Sequence, residues 1–117
     1  MTKNIIWTID AKIKNGQQEA FEKVMQDLIE ASQQEKGTLN YEWSISENGN
    51  AIHIYERYVN VAAAAEHMGN FSAYAERFLA AVEITRFVVY SKLPPELSEG
   101  ISGLSPVYME PFGGFSR

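Results

Sequence analysis

The chain has 117 residues, room for one hydrophobic core and not two. Its hydrophobic fraction of 45% and charged fraction of 21% are those of a soluble globular protein, and a formal charge of −5 without a basic stripe argues against nucleic acid as a partner. There is no cysteine, which excludes disulfides, thiolate metal sites and a cysteine nucleophile, and no apolar run reaches the ~18 residues that span a membrane.

The opening residues MTKNIIWTID carry no signal-peptide apolar core. With the missing cysteine, this predicts a cytoplasmic protein with no membrane partner. In NIIWTIDAKIK, residues Ile5, Trp7, Ile9, Ala11 and Ile13 alternate with Thr8, Asp10 and Lys12, the period of a strand. Asn15-Gly16 stops it and offers a helix cap. From Gln17 to about Gln34, residues Ala20, Phe21, Val24, Met25, Leu28 and Ala31 recur at three and four, which predicts an amphipathic helix. Gly37 ends that helix. Leu39, Tyr41, Trp43 and Ile45 then alternate with Asn40, Glu42 and Ser44 as a second strand. Asn48-Gly49 signals a hairpin, and AIHIYERY follows as the third strand.

Asn60 can cap the next helix, which opens with four alanines, Ala62 to Ala65, and carries His67. Gly69 is expected to interrupt it, with Asn70 capping a continuation through Phe71, Tyr74 and Phe78. Small side chains on that helix mean that something comes close to it, either a ligand or the sheet itself. Val82 to Leu93 reads as a fourth strand closed by Pro94-Pro95. The order strand, helix, strand, strand, helix, strand predicts an α+β fold of the ferredoxin-like β-α-β-β-α-β kind, an antiparallel sheet with helices on one face. The other sheet face, with Ile6, Tyr55, Val88 and Tyr90, is left bare. The simplest cover for it is a second copy, so a homodimer built sheet against sheet is expected. Residues 98–117 are too apolar for a loose tail, and Tyr108, Met109, Phe112 and Phe115 need somewhere to dock, on the core or on the partner subunit.

Three stretches carry a family resemblance: Glu35-Lys36-Gly37-Thr38-Leu39-Asn40-Tyr41, Ile54-Tyr55-Glu56-Arg57-Tyr58, and Ala62 to His67. Their order and spacing resemble the antibiotic biosynthesis monooxygenase family of dimeric α/β barrels, and within it the small quinol monooxygenases. The match covers roughly residues 4 to 93, which divides the chain into a core of residues 1–93 and an extension of residues 94–117. The resemblance implies a pocket between sheet and helices in each subunit, and oxygenation of phenolic or quinol substrates without a cofactor. Heme-degrading relatives use a histidine about ten positions after that of His67 and an asparagine on the first strand. Here those positions hold Arg77 and Ile9, which argues against heme.

Each candidate has two readings. A phenol must lose a proton before it passes an electron to dioxygen, and imidazole is a suitable base near neutral pH, which makes His67 the catalytic candidate. It is equally a residue at a helix end favoured by the dipole. Trp7, Tyr41 and Trp43 share the inner face and form either an aromatic box for a planar ring or plain core. Phe71 is the best of the helical aromatics as a pocket rim. Glu56 has strand parity with Ile52 and Ile54 and needs a partner there. It orients an imidazole or a substrate hydroxyl, or forms a salt bridge, with Arg86 as the favoured partner. His53 and Glu56 point to opposite faces, Glu66-His67 lacks the spacing of paired helix ligands, and no glycine-rich phosphate loop follows a strand. Neither a metal nor a nucleotide cofactor is therefore assigned. The expectation is a ligand-sized hollow between the second helix and strands one to three, holding a small aromatic or quinol compound.

Overall fold

The computed structural model describes residues 3–117. Strand β1 (Ile5–Ile13) leads into helix α1 (Gln18–Gln33), then β2 (Thr38–Ile45), β3 (Ala51–Tyr58), helices α2 (Val61–Phe71) and α3 (Ala75–Ala81), and β4 (Val82–Val89). The chain continues into α4 (Pro95–Ile101), a single 3-10 turn over Ser102–Leu104, and a two-residue strand β5 (Val107–Tyr108). The sheet order is β2-β3-β1-β4-β5. The first four strands pair antiparallel, as the ferredoxin-like reading expects, and β5 adds a parallel edge strand beside Val88 and Val89.

Alternation decides the inner face. Ile5, Trp7, Ile9 and Ala11 of β1 are buried and stand opposite Tyr58, Glu56, Ile54 and Ile52 of β3. Tyr41 and Trp43 of β2 continue two of these rows, opposite Glu56 and Ile54. On β4 the parity changes once. A register shift between Asp10 and Ala11 leaves Thr85 as an extra residue, so Ile84 and Phe87 both land on the inner side. The same shift sets Arg86 opposite Asp10, on the outer face. Arg86 therefore cannot meet Glu56, and the favoured salt bridge is replaced by another partner, described below.

The helices cover the inner face with Phe21, Val24 and Leu28 from α1, Ala63 and Ala64 from α2, and Phe78 and Ala81 from α3. Leu97 and Ile101 of α4 join the same core. Asn60 caps α2, accepting from the Ala63 N–H at 2.9 Å, whereas α1 starts at Gln17 with no side-chain cap. Gly69 does not interrupt α2. Helix runs on to Phe71, and the break falls at Ser72–Tyr74, because glycine in a helix costs only about 1 kcal/mol and packing on both sides offsets it. Asn70 is thus inside the helix and caps nothing.

The alanines answer to a close approach. A Cβ built on Gly37 would lie 2.5 Å from the Ala63 Cβ, so the turn after α1 packs its bare backbone directly on the Ala63 methyl in the first turn of α2. Ala63 and Ala64 face inward and Ala62 and Ala65 outward, and none of the four lines the hollow beside His67. On the outer face, Ile6, Thr8, Tyr55 and Tyr90 share a groove of about 420 Å³ with Met109, Glu110 and Pro111 of the C-terminal segment. Tyr108, Met109, Phe112 and Phe115 stay exposed.

Candidate functional site

The row Tyr41–Glu56–Trp7 and the row Trp43–Ile54–Ile9–Phe87 cross the sheet beneath α2. Glu56 is the one charged residue among them, and it is 3% exposed. Two donors reach it: the Tyr58 hydroxyl, two residues along its own strand, and His67 Nε2 at 3.3 Å. His67 is 2% exposed and turned inward from α2, with its other nitrogen, Nδ1, 2.9 Å from Glu35 Oε1. Glu35 follows α1 in the turn that ends it. That carboxylate also accepts from Thr38 Oγ1 at 2.7 Å and from Asn70 Nδ2 at 2.8 Å. Ser32 Oγ lies 3.4 Å from His67 Nδ1. The outcome is a buried chain, Glu35–His67–Glu56–Tyr58, held from two elements, α2 and β3, and the turn after α1.

Carboxylates accept and do not donate, so an imidazole facing one at each nitrogen is held in its doubly protonated form. Burial works to lower the His67 pKa, but the hydrogen bonds the imidazole donates to Glu56 and Glu35 and their charges outweigh it, and the net shift is upward. The phenols beside the cluster respond. Burial first, then the Glu56 and Glu35 charges, push Tyr41 well above its ordinary value, with a hydrogen bond from Ser32 pulling the other way. Burial and Glu56 push Tyr58 up in the same sense. The Tyr41 and Tyr58 rings stand 5.0 and 5.1 Å from the imidazole.

All six residues singled out in the sequence meet around one hollow. Trp7, Tyr41, Trp43, Glu56, His67 and Phe71 line it, with Ile9, Ile54, Met68, Phe78, Ile84, Phe87 and Leu104. Its volume is about 20 Å³, space for one water and not for a ring. The expectation of a ligand-sized hollow is therefore corrected: in this arrangement, the aromatic side chains and Leu104 fill the space. Among the described residues, Trp43 Nε1 is the buried side-chain polar atom that finds no hydrogen-bond partner. Also among the described residues, no group of three or more His, Asp or Glu side chains is arranged to hold a metal ion, and no helix is long and apolar enough to cross a membrane. Arg77, at the heme-histidine position, pairs with Asp27 at 2.9 Å on the exposed side of the helices.

Glu35, Tyr58 and Asn70 were not singled out. The signal for Glu35 is its place: an acid just past a helix C-terminus works against the dipole and needs a local reason. Tyr58 shares its parity with Glu56, and Asn70 is three positions from His67, on the same side of the helix.

The model of the antibiotic biosynthesis monooxygenase family matches residues 5–84. The chain belongs to this family. Among solved structures, this antibiotic biosynthesis monooxygenase family member is similar to MupZ from Pseudomonas fluorescens, at 23% identity and a TM-score of 0.83 over 99% of this chain and 96% of that one. It is also similar to SnoaB from Streptomyces nogalater, described as a cofactor-independent oxygenase, at 10% identity and a TM-score of 0.67 over 80% and 96% of the two chains. A third is Rv0793 from Mycobacterium tuberculosis, at 20% identity and a TM-score of 0.65 over 78% and 96%. At these identities the likeness is one of fold. The MupZ match takes in nearly the whole chain, including the segment after β4 that the family model leaves out. A comparison with curated proteins finds no match.

Proposed function

We propose that this family member is a cytoplasmic, homodimeric monooxygenase, quinol-monooxygenase-like, that oxidises a small aromatic or quinol compound with dioxygen and no cofactor. The observation that carries the reading is the buried Glu35–His67–Glu56 chain, which opens through Glu56 and His67 onto an aromatic wall. Once Leu104 and the neighbouring side chains that fill the hollow move apart, the substrate ring stacks among Trp7, Tyr41, Trp43 and Phe71, with a hydroxyl against Glu56. Its proton goes to the Glu56–His67 pair, not to a free imidazole, since both imidazole nitrogens are already engaged. Glu35, which also accepts from Thr38 and Asn70, holds the imidazole in place. The substrate anion then gives one electron to dioxygen, and the radical pair closes to a peroxide at a ring carbon that bears hydrogen. Loss of water leaves one oxygen on the ring as a carbonyl and the other in the water. The dimer forms through the outer sheet face, where Tyr90, Tyr108 and Met109 are exposed, closing the two sheets into an α/β barrel.

Oxygen consumption against a panel of quinols and dihydroxynaphthalenes, with metals chelated, tests the reading. Turnover in the wild type that collapses in Glu56→Gln supports it, and a panel that consumes no oxygen overturns it. Sedimentation at micromolar concentration tests the dimer. A second reading, a non-catalytic binding or structural dimer of the same fold, is favoured by the small size of the hollow. His67→Ala separates catalysis from binding: binding that survives while turnover falls belongs to the enzyme, and turnover that is unchanged removes His67 from the chemistry.

A further inference from the structure

Native proteins leave few buried donors unpaired, because such a donor forfeits its hydration and gains nothing in return. The other polar groups at this site have partners: Glu56 with Tyr58 and His67, and His67 with Glu35. The Trp43 indole N–H does not. Its ring is boxed edge-on by Tyr41 at 5.5 Å and Phe78 at 6.0 Å, with Phe21 at 5.9 Å, so the donor cannot swing out to a distant acceptor. That same ring is a wall of the hollow.

We propose that Trp43 Nε1 is a ligand-positioning donor that pairs with an oxygen acceptor, a carbonyl or ether oxygen, on the molecule that enters the hollow. The proposal rests on the ligand-pocket reading above and narrows its substrate class. Tyr41 stands across the sheet from Glu56, and Trp43 is two residues further along the same face of the same strand. That step is about 7 Å, close to the reach of one aromatic ring with its two substituents. A ligand with a hydroxyl at Glu56 therefore carries its second oxygen on the far side of the ring. A phenol without that oxygen leaves the indole unpaired and binds more weakly.

Two probes that differ in one carbonyl test this: 6-hydroxy-1-tetralone, and 5,6,7,8-tetrahydro-2-naphthol, which lacks it. The chain has two tryptophans, so the ¹⁵N spectrum holds two indole cross-peaks, and either Trp43→Phe or Trp7→Phe assigns them. The hydroxytetralone is expected to move the Trp43 peak downfield and the naphthol to leave it nearly in place. Trp43→Phe keeps an aromatic wall but removes the donor, so it is expected to weaken the hydroxytetralone about tenfold more than the naphthol, the worth of one buried hydrogen bond. A Trp43 peak that stays still while the ketone binds overturns the proposal, as does an equal loss for both probes or the failure of both to bind. These readouts do not depend on turnover. Absence of oxygen consumption with the Trp43 shift intact sinks the oxygenase reading and leaves the donor standing.

Discussion

His67 carries the clearest consequence of its surroundings. A histidine held above its ordinary pKa of 6.5 contributes stability that is fully present below that value and is lost as pH rises through the folded value. His67→Gln keeps the shape and removes the titration. The wild type is therefore expected to exceed this variant most below pH 6.5 and to lose its lead progressively as pH rises above that value, read as the difference in urea midpoint. A lead that grows with pH would mean that burial, not the two carboxylates, governs the imidazole. Glu35→Gln should behave differently from Glu56→Gln. It removes a positioning acceptor away from the hollow, so it lowers the temperature of unfolding while leaving any ligand contact through Glu56 in place. Of this cluster, His67 and Glu56 were readable because strand parity and a lone imidazole mark them. Glu35 was not, because its side chain enters the core only through the turn that Gly37 makes.

Elements meet where side chains are missing. Gly37 and Ala63 allow the end of α1 and the start of α2 to touch, and that contact brings Glu35 within reach of His67. Gly37→Ala should cost about 1–3 kcal/mol, the usual penalty for overpacking, read as a drop in urea midpoint with an unchanged slope. Adding Ala63→Gly clears the clash and should recover part of the loss, less the ~1 kcal/mol that glycine costs in a helix. A double-mutant cycle with no coupling would show that the two positions do not press on each other. The order from β1 to β4 could be read from periodicity, since the periods of two and 3.6 are properties of adjacent residues, whereas α4 and β5, too short to show a period, could not. The parity of β4 could not, because one extra residue at Thr85 exchanges its faces and only pairing with β1 reveals it. The alanine run likewise shows small size in the sequence but not which neighbour requires it.

At the scale of the whole molecule, the C-terminal segment closes the site that the family core builds. Strands β1 to β4 and helices α1 to α3, residues 5–89, supply the antiparallel sheet and the cover of its inner face, and Leu104, well beyond them, completes the wall of the hollow. Ile84, Phe87 and Leu104 also line a second, open cleft of about 330 Å³, with Leu79, Thr85 and Gly103, so these three side chains are the partition between an enclosed space and one that reaches solvent. Leu104 is the movable member. Ile84 and Phe87 belong to a paired strand, whereas Leu104 ends a three-residue turn between Gly103 and Ser105, whose φ of 53° lies in the left-handed region that costs a side-chain-bearing residue energy. Both tryptophans of the chain line the hollow, so tryptophan fluorescence reports on its walls. Leu104→Ala is expected to raise the acrylamide quenching constant of that fluorescence several-fold while circular dichroism stays native. Leu79→Ala, which widens the cleft but leaves the partition whole, should not change it. Equal quenching in all three proteins would move the entrance away from Leu104, to the Met68 and Phe71 side of α2, and an increase in both variants would point to general loosening instead of a door.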